Sequence, residues 1–180
     1  MSHTNNKKLL LAGSAMVALS SFAAGKVAEA ASVNATMKAE IIQPISLAVA
    51  QTLNFGRMTV GLAGTAVVDT TGGRTQTGGV NLLAGGGPVQ EGIIKITAAS
   101  GLPIDLSVTN TKFVVAHTVT ATKTMSVNNF QLNTVAGGTK TTITLTKTTG
   151  AMPVGATLNV GAGQAAGAYA GTFTVAAAYQ

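Results

Sequence analysis

A hydrolytic triad needs a base beside its nucleophile, and beyond residue 30 the chain offers a single imidazole, His117. It sits in the alternating run FVVAHTVTATK, where a histidine on a strand face is the plainer reading. Asp69 or Asp105 could serve as its carboxylate on chemistry alone, but no spacing places either beside it. A pair of catalytic carboxylates would be drawn from Glu40, Asp69, Glu91 and Asp105, and three of these four are flanked as solvent faces or loops. Cysteine is absent, which excludes a thiolate nucleophile and thiolate metal ligands, and the remaining residues offer zinc no ligand set. For calcium the segment VVDTTGGRTQTGG supplies one carboxylate, Asp69, beside an arginine, too few hard oxygens for a site. Its glycine pairs have the composition of a phosphate cradle, but no helix N-terminus follows them, and hairpin turns are the simpler use. The sequon Asn34-Ala35-Thr36 falls inside an alternating run and reads as chance. No catalytic, metal or cofactor site is expected, and the chain reads as a component and not an enzyme.

The elements that would position these residues are strands. Lys7 and Lys8, the apolar stretch Leu9 to Ala24 and the Ala28-Glu29-Ala30 site have the layout of a secretory leader ending at residue 30. The apolar stretch, broken by Gly13, Ser14, Ser20 and Ser21, is short of the roughly 20 residues a membrane span needs. One domain, residues 31–180, would remain, with no membrane span after processing. It carries net +4 in singly spaced basic residues, which gives no nucleic-acid stripe. Its 26 threonines suit half-buried pleated surfaces, and without disulfides its stability must come from burial and sheet pairing. Alternation with period two recurs: Ile104, Leu106 and Val108 point inward, as do Ile143 with Leu145 and Leu158 with Val160. Met125 and Val127 give way to Phe130 and Leu132, a change of phase that predicts a β-bulge near Asn128-Asn129. Gly72-Gly73, Gly78-Gly79, Gly85-Gly86-Gly87, Gly137-Gly138 and Gly150 read as turns between roughly eight or nine strands of an antiparallel sandwich.

Both ends of this domain are unusually regular. Residues 32–41 alternate, with Val33, Ala35, Met37, Ala39 and Ile41 on one face and polar residues on the other. At the C-terminus Tyr169, Gly171, Phe173, Val175, Ala177 and Tyr179 alternate with alanine and threonine alone, as one strand would. Gly167, fourteenth from the end, the alternating apolar residues and the penultimate Tyr179 together resemble the C-terminal signature of chaperone–usher pilins. That resemblance implies a last strand bordering a groove left by a missing strand. A periplasmic chaperone fills the groove first, and the N-terminal extension of an identical or related subunit then replaces it at an outer-membrane usher. It would make Val33, Ala35, Met37, Ala39 and Ile41 a donor face within residues 32–42. Gly167, Tyr169, Phe173, Val175 and Tyr179 would form the acceptor and chaperone-facing edge. Burying the donor face is worth roughly 6–10 kcal/mol before ordering costs.

A broader resemblance runs through LNFGRM (Leu53 to Met58), GGVNL (Gly78 to Leu82), TMSVNNF (Thr124 to Phe130), GATLNVGAGQAAGAYAGTFTV (Gly155 to Val175) and the closing Tyr179. These motifs are similar to the bacterial domain-of-unknown-function 4402 family, whose layout is similar to spore-coat-U-type pilins. This implies an all-β, immunoglobulin-like sandwich, passing through the periplasm to the cell surface or medium as a subunit of a filament or coat. The alternative is that Val33 to Ile41 form the first strand of the chain's own complete sandwich. Gly167 would then be a turn residue, Tyr179 a ring over the core, and the protein a secreted module binding a glycan or a surface.

Overall fold

Alternate burial of β-branched and aliphatic residues builds this molecule. The computed structural model describes residues 31–85, 87–132 and 138–180; the expected leader, residues 1–30, lies outside them. Eleven strands and no helix occur among the described residues: β1 (Ser46–Gln51), β2 (Met58–Val68), β3 (Arg74–Leu82), β4 (Gly92–Thr97), β5 (Pro103–Val108), β6 (Lys112–His117), β7 (Thr124–Leu132), β8 (Lys140–Thr144), β9 (Thr149–Val160), β10 (Tyr169–Ala170) and β11 (Val175–Tyr179). All their pairings are antiparallel.

The long strand β9 is the spine of the larger sheet. Its first half pairs with β4 and its second half with β2 on one side, while β7 lies along the other. β1 extends this sheet beyond β4, β3 beyond β2, and β6 with the short β10 beyond β7. Where it is paired on both sides, β9 buries both its faces: Val154, Ala156 and Leu158 alternate with the buried Gly155 and Thr157. The smaller sheet runs β11-β5-β8, and its Ile104, Leu106 and Val108 join the same core. The bulge expected at Asn128-Asn129 is present. The β7–β9 register shifts between Asn128 and Gln131, and Asn129 takes φ +49°, a conformation that asparagine tolerates better than most residues.

Four readings of the sequence are corrected. Residues 32–41 form no strand; residues 31–39 are exposed along their length. Alternation states only that a segment can pair, and a strand exists only where a neighbouring edge accepts its hydrogen bonds. The C-terminal repeat is two strands, because the chain leaves β6 after Ala170 and joins β5 at Val175. Gly78-Gly79 lies inside β3, opposite a bulge in β2 between Val60 and Gly64. A Cβ on Gly78 would meet the Ala63 carbonyl, so the glycines here permit close approach of two backbones and not a reversal. Gly150 likewise lies within β9, packed by the Leu145 side chain.

The turn at Gly72-Gly73 is as expected, and Asp69 organises it. Its Oδ1 accepts hydrogen bonds from the backbone N–H groups of Thr71 and Gly73, both at 2.8 Å, and from the Thr71 hydroxyl at 2.7 Å. These bonds, the Thr71 hydroxyl's above all, hold the carboxyl below its ordinary value of 3.8 against a small opposing effect of burial. A lowered folded-state value means the turn's contribution is present above about pH 4 and is lost as pH falls through the lowered value. Asp69→Asn should therefore flatten the acid limb of the unfolding midpoint measured between pH 2 and pH 5, while leaving the limb near neutrality parallel to the parent's.

Candidate interaction groove

The histidine and carboxylates with chemical potential are each engaged separately. His117 ends β6, where Nδ1 accepts the backbone N–H groups of Val119 at 3.1 Å and Thr120 at 3.0 Å. That assigns the proton to Nε2, which donates to the Ala166 carbonyl at 3.1 Å. Asp105 accepts the Thr142 hydroxyl at 2.5 Å and the Gln180 side-chain amide at 2.9 Å. Asp69 is occupied in its turn, and no three metal-ligating side chains gather among the described residues. Glu40 is exposed and Glu91 half-buried, its carboxylate near Gly72.

The residues that do converge are apolar. Phe113 on β6, Phe130 on β7 and Phe173, between β10 and β11, form a three-ring cluster with centroids 5.1 to 6.3 Å apart. Phe130 is buried, while Phe113 and Phe173 are only half-covered. They floor a groove of about 950 Å³ that also takes in Phe55, Met58 and Val60 on its far wall. A second hollow of about 390 Å³ lies between Leu47 and Val49 of β1 and Phe173 and Val175 of the C-terminal segment. The two share Thr52, Leu53, Gly171, Thr172 and Phe173, and so make one continuous trough.

Two unpaired strand edges flank this trough. β1 pairs only with β4, and β11 only with β5. Neither strand carries a charge or a proline, the usual devices that blunt an edge. The other long edge is treated differently. On β3 the Leu82 N–H donates to the Gln76 side-chain oxygen at 2.7 Å, and Gly78 lies opposite the bulge in β2. β8 is short and bears Lys140.

The proposed acceptor residues divide along this geometry. Val175 lies on the open strand β11, Phe173 on the trough floor, and Tyr179 at the far end of β11. Tyr169 and Gly167 instead belong to the wall over β6. The Tyr169 ring meets His117 edge-on at 5.1 Å, and its hydroxyl donates to the Ala165 carbonyl and accepts from the Gln164 amide, both at 2.8 Å. Gly167 has φ +144°, and a Cβ there would meet the His117 ring. Gly167 thus has a reason to be glycine that is local to the β6 wall. The proposed donor residues Val33, Met37 and Ile41 are 89%, 94% and 98% exposed.

Arg74 is the structural residue that the sequence did not disclose. Its guanidinium donates to the Phe55 carbonyl at 2.9 Å, the Arg57 carbonyl at 3.1 Å and the Leu83 carbonyl at 2.9 Å. The planar fork suits three fixed carbonyls, and it holds the Leu53 to Met58 loop as a wall of the trough. An arginine two residues after a hairpin glycine looks like any solvated charge, so no local signal marks it.

The family model described as Domain of unknown function (DUF4402) matches residues 45–179, and the chain belongs to that family. No curated protein and no solved structure matches it significantly. Gly167→Ala should destabilise the chain by about 1–3 kcal/mol in chemical denaturation, since it adds both backbone strain and a clash with His117. The His117 ring resonances should shift in the same variant; unchanged resonances would refute the contact.

Proposed function

We propose that this member of the domain-of-unknown-function 4402 family is a structural subunit of a bacterial surface filament or coat, exported and then assembled by β-strand addition. Its N-terminal extension, residues 32–42, would supply the strand that lies in the trough of the next copy. The observation that carries this reading is a pairing of opposites within one chain. An alternating segment stands without a partner edge, and an apolar trough stands between two unblunted edges without a strand.

The chemistry of the two parts is complementary. An added strand would hydrogen-bond to a free edge, and its alternate side chains would point at the half-covered Leu47, Phe173 and Val175. Val33, Met37 and Ile41 each transfer favourably by about 1.5–3 kcal/mol on full burial, with smaller contributions from Ala35 and Ala39. The other face of the segment carries Asn34, Thr36, Lys38 and Glu40, which can remain in water. Association and ordering costs are set against this gain, and the backbone hydrogen bonds of a ten-residue strand add specificity of register. A periplasmic chaperone and an outer-membrane usher are the partners such a route would employ, the chaperone covering the same edge in transit.

Met37→Asp places a charge in the middle of the apolar face and changes a side chain that is exposed in the isolated chain. Its thermal unfolding should match the parent's, while assembly seen by light scattering and negative-stain microscopy should be lost. A parent that stays monomeric at high concentration, even with the trough unfilled, would overturn the subunit reading in favour of a self-contained binding module.

A further inference from the structure

The Tyr179 hydroxyl makes two hydrogen bonds that tie together three distant parts of the chain. It accepts the Ala99 N–H at 2.7 Å and donates to the Gln43 carbonyl at 2.7 Å. Its ring packs half-buried against the core, and the terminus beyond it is fixed by the Gln180 N–H on the Pro103 carbonyl at 3.2 Å. Gln43 lies at the root of the extension. Toward the N-terminus from Ser46, where β1 begins its pairing with β4, the bond at Gln43 is the one hydrogen bond that holds the segment among the described residues. Ile41 and Ile42 beyond it are exposed.

We propose that Tyr179 is a positioning residue that latches the root of the extension and so directs residues 32–42 to another copy instead of the chain's own trough. This rests on the strand-addition reading. β1 leaves Ser46 and runs toward Gln51, alongside the hollow bounded by Gly171 to Val175. The extension therefore leaves from the Tyr179 end, and to enter its own trough it must reverse at Gln43-Pro44. Pro44 is suited to the second position of a β-turn, in which the Gln43 carbonyl would accept the Ser46 N–H. The Tyr179 hydroxyl engages that carbonyl instead. Removing the hydroxyl leaves the ring in the core and frees the carbonyl to make the turn. Closure within one chain would then compete with addition between chains, because an intramolecular strand meets its site at a high effective concentration.

The absence of cysteine allows a clean reporter. Met37→Cys, introduced into the full chain expressed with its own N-terminal segment, is followed by its rate of thiol labelling over a range of protein concentrations. With Tyr179 present, labelling should be fast when dilute and slow as assembly takes up the extension. With Tyr179→Phe added, labelling of the dilute chain should be slowed about three- to tenfold, the range of the one lost hydrogen bond to Gln43, and the assembled fraction at higher concentration should fall. Pro44→Gly added to Tyr179→Phe removes the proline suited to the turn and should return both readouts toward the parent's. Made in the parent, where the latch already holds the root, it should leave them unmoved, an outcome that decides the matter if Tyr179→Phe unfolds. Labelling and assembly equal to the parent's in folded Tyr179→Phe, or moved by Pro44→Gly alone, would overturn the latch. A parent that labels fast at all concentrations and never assembles would instead remove the strand-addition reading on which the latch depends.

Discussion

The structure depends on the shared burial of two antiparallel sheets around β9. That strand is paired on both sides from Val154 to Asn159, where one face is dry throughout and the other is dry at Gly155 and Thr157. A cysteine-free domain has no covalent closure to fall back on, so the layer of Ile96, Ile104, Leu106, Phe130, Leu132, Met152 and Val154 must hold the sheets together by apolar burial and close packing. The same layer sets the limits of the open trough. The core is fully closed beneath β4 and β9, and it is only half-covered where β1 and β11 face each other without a strand between them.

Polar groups serve that apolar frame by fixing loops at its margins. Asp69 closes the β2–β3 turn, Arg74 gathers two carbonyls of the Leu53 to Met58 wall together with that of Leu83, and His117 with Gly167 sets the opposite wall. Each uses a side chain to satisfy backbone groups that no strand partner reaches, which is the requirement every buried or half-buried loop must meet. The trough is thereby given fixed walls, as the proposed strand addition would require: a site that must itself be ordered on binding loses affinity to that ordering.

Hydrogen bonding between the C-terminal strand and Gln43 gives the C-terminal order its physical meaning. The final residues form an edge strand on one sheet, cross over at Gly171 beneath the Val114 carbonyl, and pin the root of the N-terminal segment through Tyr179. A frayed terminus would loosen the trough's edge and the root of the extension together.

From the sequence alone, the all-β class, the inward faces of Ile104, Leu106, Val108, Phe130 and Leu132, and the bulge at Asn128-Asn129 were determined, because burial of alternate residues writes itself directly into a two-residue period. Tertiary structure decided the rest. Whether residues 32–41 pair, where the C-terminal repeat divides, and why Gly78 and Gly150 lie within strands depend on which edge or backbone lies alongside. Arg74 and Tyr179 act on carbonyls 9 to 136 residues away in the chain. Neighbours brought together only by folding leave no period in the sequence to be read.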